Sequence, residues 1–348
     1  MKRLLFLFLL VVQGACSGIN QATPTEEKVE GQTSNVGSIT PVESQTSKVI
    51  APSNTVTPQP PTVTFTESPA QTETPTPVIC DPAASYCIDD GHFVLDRPIA
   101  PPGTVRIDSG YPYGSTEGGT RDPHHGVEFY NASGTPVLAA APGIVVVAGD
   151  DSQNNYALLP DTYGNLIILE HHFEGIVQPV YTLYAHLSRV EVQVGQTARQ
   201  GDEIGQVGAT GIATGSHLHF EVRLGKNNYD SNRNPVLWLK PLADEAGIGL
   251  GVLAGRVEDS QGNLLETDAL NIQYFARPGG PQSAAWQVNS YAPEEHPVRR
   301  DNALNETFAM GDLPAGDYRI SLIQNGRLYE RQIQVEPGRL TFFVLRID

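Results

Sequence analysis

Beyond residue 80 the chain never sustains a helical period. Its apolar residues come in short runs closed off by Gly, Pro and Asn, as in "GTPVLAAAPGIVVVAG", "YGNLIILEHH" and "VEVQV". Runs of this length with such boundaries are strand signals. The 34 glycines and 27 prolines among 348 residues supply the turns that many short strands require. An all-β protein is expected. Its length suggests about two domains plus extensions, since domains run to about 100–200 residues.

Breaks in composition set the organisation. Residues 1–16 begin with Lys2 and Arg3 and continue into an apolar run over residues 4–12. That run is too short to cross a hydrocarbon core of about 30 Å, so it reads as an export signal. Cys16 follows small residues, as in bacterial lipoprotein signals, and is the lipidation candidate, although Gln13 stands where such signals carry Leu. Lipidation places the protein on the extracellular face of the cell envelope. Ordinary cleavage would instead release it as a secreted protein. Residues 17–79 are Thr, Pro, Ser and Gln without apolar periodicity, a tether that cannot bury a core. Residues 80–243 form a first β domain. After "ADEAGIGLG", residues 250–348 alternate regularly between turns at "QGN", "PAG", "NG" and "PG", the pattern of a β-sandwich.

The formal charge of −17 argues against a nucleic-acid partner, which requires clustered Lys and Arg. It also gives no attraction to anionic membranes, so membrane contact is expected only through a lipid anchor. Apart from Cys16, the cysteines are Cys80 and Cys87. In an exported chain they are candidates for a small disulfide loop, with free thiols as the other reading.

The histidines carry the chemistry. In "TGSHLHFEVR", His217 and His219 are two apart, so on a strand both imidazoles project from one face. In "RDPHHGVEFY" the residues after His125 favour a strand, on which His124 and Glu128 share a face while His125 does not. His125 is then a flanking residue. His124, Glu128 and one histidine of the HxH pair make two imidazoles and a carboxylate, the donor set of catalytic zinc sites that keep a fourth position open. His186, in "YTLYAHLS", is a further candidate for proton transfer. Glu221 shares the face of His217 and His219 and either orients an imidazole or is a surface carboxylate. His171 and His172 read as structural, Tyr111 and Tyr113 as core or groove lining, and His92 and His296 as solvated loop histidines.

The stretch from "HHGVEF" through "YTLYAHLS" to "GATGIATGSHLHFEVR" resembles the lysostaphin-type zinc endopeptidases of peptidoglycan over residues 124–223. That resemblance implies an antiparallel β-barrel-like domain, the duplicated hybrid motif, with a groove over the metal. It implies one Zn²⁺ held by His124, Glu128 and His219, with His186 and His217 as catalytic histidines. The implied substrates are stem or bridge peptides of the wall. Glu128 stands where the family usually has Asp, one methylene shorter, so either the site has adapted or it is weakened. A non-catalytic regulator that activates another wall hydrolase is the alternative. The C-terminal "DLPAGDYRISL" resembles the carboxypeptidase-regulatory-like, transthyretin-like sandwiches, which implies an accessory or binding module.

Overall fold

The computed structural model describes residues 80–117, 120–154, 156–291 and 298–348. The export signal, Cys16, the tether and His296 lie outside the described residues. The first region contains strands β1 (Cys87–Asp89), β2 (Val127–Tyr130), β3 (Pro136–Leu138), β4 (Gly143–Asp150), β5 (Asn165–His171) and β6 (Val180–Ala185). It continues with β7 (Arg189–Val190), β8 (Thr197–Ala198), β9 (Glu203–Gln206), β10 (His217–Leu224) and β11 (Asn232–Arg233). The second region contains β12 (Gly251–Asp259), β13 (Thr267–Phe275), β14 (Ala284–Ser290), β15 (Phe308–Leu313), β16 (Gly316–Gln324), β17 (Arg327–Val335) and β18 (Leu340–Ile347). Helical structure among the described residues is limited to two single 3-10 turns, Tyr229–Ser231 and Pro235–Leu237.

The all-β expectation holds, but no barrel closes among the described residues. The first region is built on a seven-stranded sheet in the order β11-β10-β6-β5-β4-β8, with β2 also paired to β10. A three-stranded sheet, β3-β9-β7, lies beside it. The central strand β5, "NLIILEH", is buried on both faces. Ile167 and Leu169 enter one apolar core while Leu166 and Ile168 enter another. That two-sided burial explains why its sequence is a continuous apolar run rather than an alternating one.

The second region is a sandwich of two four-stranded sheets, β1-β18-β12-β15 and β14-β13-β16-β17. Strand β18 shows how it is held. Phe343 and Leu345 point into the core between the two sheets. Phe342 and Val344, on the opposite face, join the core of the first region, together with Val252 and Ala254 from β12. Each fully buried side chain of this size contributes roughly 1.5–3 kcal/mol, so the shared face is a substantial joint. Strand β1 strengthens it, pairing antiparallel with β18 at Cys87↔Phe342. Cys80 and Cys87 are disulfide-bonded and close the loop that leads into β1.

Candidate metal centre and active site

Strand β10 positions the centre. Its residues alternate, so His217, His219, Glu221 and Arg223 share one face while Leu218, Phe220 and Val222 enter the core. Its antiparallel partner β2 sets Glu128 directly opposite His219. Paired residues across antiparallel strands have Cβ atoms about 5 Å apart, close enough for their side chains to meet. His124 arrives differently from the sequence expectation. The strand starts only at Val127, so His124 lies in the segment before it and reaches Glu128 from there. The expected pairing is present, but strand alternation is not its cause.

The candidate donor atoms converge. His124 Nε2 is 2.9 Å and His219 Nδ1 3.0 Å from Glu128 Oε1. The two nitrogens are 3.2 Å apart. Atoms of His124, Glu128 and His219 all lie within 4.8 Å of one another, and all three residues are buried. His125 does not join them. Its ring lies 3.7 Å from that of Tyr229, and its Nδ1 is 3.4 Å from Asn232 Nδ2. Burial lowers the His125 pKa to about 3.

Each imidazole has one nitrogen committed. A carbonyl oxygen can only accept, so His124 Nδ1 donates to Tyr111 O at 2.8 Å and its Nε2 is left for the centre. Likewise His186 Nδ1 donates to Thr210 O at 2.9 Å and His217 Nδ1 to Gly215 O at 2.8 Å. His219 is reversed: Nε2 faces Glu221 Oε1 at 3.1 Å, which turns Nδ1 toward Glu128. His186 and His217 flank the centre with ring centroids 4.8 Å apart. His186 holds a left-handed backbone at φ 60, a conformation that costs a non-glycine residue energy and gathers at functional sites.

Behind the candidate donors stands a buried network of charged groups. Arg223 Nε donates to Glu221 Oε2 at 2.8 Å, and its Nη2 donates to Tyr156 O at 2.9 Å. Tyr163 Oη donates to Glu221 Oε1. Burial alone would raise the Glu221 carboxyl, but the Arg223 guanidinium and the His219 imidazole hold it well below the usual range. Glu128 follows the same logic: burial opposes ionisation, and His219 and His124 outweigh it. Burial, then the neighbouring His219 and His217, lower the His186 pKa to about 4.

The remaining sequence candidates sort plainly. His171 is buried, bonded to Pro142 O and Thr182 Oγ1, while His172 is exposed beside Glu170. Tyr113 packs with Tyr291 and Val298, and Tyr111 stacks on His124 at 4.1 Å between centroids. His92 is no solvated loop residue, since it packs edge-on against Trp238 at 4.4 Å. Arg223, Tyr163 and Thr210 went unread in the sequence. The alternation that selects His217, His219 and Glu221 reaches Arg223 one step later; nothing in the sequence points to the other two.

The residues fit a zinc ion. Glu128 Oε2 is buried without a hydrogen-bond partner, and two neutral-capable imidazole nitrogens and a carboxylate oxygen are the donors Zn²⁺ takes. The centre opens into a cavity of about 1290 Å³.

Residues 122–231 match peptidase family M23. The match covers about a third of the chain and includes His124, Glu128, His186, His217 and His219. It is 39% identical over 105 residues to the cell division protein DipM of Caulobacter vibrioides, covering 30% of this chain and 15% of DipM. It is 36% identical over 122 residues to the peptidoglycan DD-endopeptidase ShyB of Vibrio cholerae, covering 35% of this chain and 25% of ShyB. The chain therefore spans a quarter or less of the length of these relatives. Among solved structures, the catalytic domain of the antimicrobial peptidase lysostaphin from Staphylococcus simulans is 32% identical, with 37% of this chain and 88% of that one covered at a TM-score of 0.30.

Proposed function

We propose that this protein is a zinc-dependent endopeptidase that hydrolyses peptide cross-links of bacterial peptidoglycan. The observation that carries the reading is the convergence of His124, Glu128 and His219 within 4.8 Å, with His186 and His217 beside them. The match of residues 122–231 to peptidase family M23 and the likeness to a relative named as a peptidoglycan endopeptidase support it. Zn²⁺ held by His124 Nε2, Glu128 and His219 Nδ1 would supply Lewis acidity toward the scissile carbonyl and lower the pKa of water.

The chain's own residues do the rest. Glu221 fixes the His219 ring through Nε2, and Arg223 neutralises Glu221. His186, with Nδ1 committed to Thr210 O, presents Nε2 as a proton acceptor. His217, whose Nδ1–H is committed to Gly215 O, places Nε2 3.3 Å from Glu128 Oε2, and in its imidazolium form that nitrogen would donate toward oxyanion charge as it develops. Export through residues 1–16, lipidation at Cys16 and a tether over residues 17–79 carry this centre to the envelope. The peptidase region of residues 80–243 and the sandwich of residues 250–348 complete the proposed organisation.

Digestion of purified peptidoglycan tests the proposal. Zinc-loaded protein is expected to release peptides with new amino termini, and a chelator to abolish release. Wall binding without released peptides would overturn the proposal in favour of the non-catalytic regulator.

A further inference from the structure

The cavity over the centre is not walled by the M23 segment alone. Leu264, Glu266, Asn289 and Val298, all from the second region, also line it. They are fixed there. Val298 packs on Tyr113 and Tyr291, and Tyr113 Oη donates to Arg299 O at 2.7 Å. Gly114 lies so close to the Tyr291 ring that a Cβ would stand 2.6 Å from it. The same short segment carries Tyr111, whose ring and carbonyl orient His124. Elsewhere Arg97 pairs with Asp312 at 2.7 Å across the joint, on top of the shared apolar core. A module attached at so many points is a fixed wall of the groove.

The chemistry of that wall is specific. Arg121 is the only Lys or Arg among the described residues lining the cavity, and Glu117 pairs with it at 3.0 Å. The Glu266 carboxylate is exposed and makes no ion pair among the described residues, and Asp122 on the same cavity makes none either. Leu264 lies two residues before Glu266, so an extended backbone places an apolar surface beside the charge on one side of the chain. An aliphatic stem ending in an ammonium group matches such a pair, lying along the leucine with its charge at the carboxylate.

Resting on the peptidase reading, we propose that Leu264 and Glu266 of the sandwich form a substrate subsite for a lysine-like diamino side chain with a free amine, borne on the peptide beyond the scissile bond. The test compares two peptide substrates that differ only in a free or acetylated side-chain amine. The enzymes are zinc-loaded wild type, Glu266→Gln and Glu266→Lys. Wild type is expected to favour the free amine in kcat/KM. That preference is expected to fall roughly three- to tenfold in Glu266→Lys, through KM, with Glu266→Gln between. A preference unchanged by either substitution would overturn the subsite. Turnover of neither peptide by wild type would count against the peptidase reading instead. Calorimetric affinities for the same two peptides then decide the subsite: a free-amine preference lost in Glu266→Lys supports it, and equal affinities overturn it.

Discussion

Glu221 and Arg223 show how far the centre depends on residues that would touch no substrate. Arg223 is fully buried with its charge matched by Glu221, and Glu221 holds His219 in the tautomer the ligand set requires. Glu221→Gln is expected to weaken zinc affinity by about 10- to 100-fold, measured by competition with a chelator. Arg223→Met takes the guanidinium from the buried Glu221 carboxylate, which keeps only His219 and Tyr163, and is expected to cost roughly 3–5 kcal/mol in denaturant unfolding. Gly126 matters for a different reason, since a Cβ there would stand 2.5 Å from the Phe220 carbonyl oxygen and 2.7 Å from the His219 ring. Gly126→Ala is therefore expected to lower zinc content by displacing that imidazole, and full zinc occupancy in this variant would contradict the packing argument. At this scale the sequence was legible where chemistry repeats at period two, as in "HLHFE". It was silent where backbone carbonyls do the orienting, as Thr210 does for His186.

Strands β5 and β18 explain both the success and the limit of reading elements from sequence. Short runs between Gly, Pro and Asn marked the strands correctly. What the runs did not say is what covers each face. "LTFFVLRI" is apolar on both sides because Phe343 and Leu345 serve the sandwich core while Phe342 and Val344 serve the core of the first region. Partnership of that kind is a tertiary property, absent from the local pattern. The start of β2 at Val127 is also beyond the pattern, which extends the strand back over His124 although that residue precedes it. Phe343 is completely buried. Phe343→Ala is expected to cost roughly 3–5 kcal/mol, read from the urea midpoint, and a change below 1 kcal/mol would mean that the core collapses around the loss.

Across the whole molecule, the shared core and the Tyr113–Arg299 and Arg97–Asp312 contacts join the two regions into one body. Scanning calorimetry is expected to give a single transition for the full chain, and two separated transitions would contradict the joint. Stability also carries a pH signature from Glu306, buried near that joint, where it accepts from Tyr291 Oη at 2.6 Å and Asp301 N at 2.8 Å. Burial pushes its carboxyl up to about 7 from an ordinary value of 4.5. The unfolded chain ionises first as pH rises, so the folded state loses relative stability between those two values. Each pKa unit corresponds to about 1.4 kcal/mol, which makes the full loss on the order of 3 kcal/mol. Urea midpoints at pH 4 and pH 8 are expected to show this fall in the wild type and a smaller one in Glu306→Gln.

The most direct test of the account follows zinc and chemistry together. Metal-stripped protein is titrated with Zn²⁺ while release of peptides from peptidoglycan is measured. Turnover is expected to rise in proportion to zinc and saturate at one ion per chain, with His219→Ala losing both the ion and the activity. Stoichiometric zinc bound equally well by His219→Ala, or turnover indifferent to zinc, would contradict the assignment of the centre.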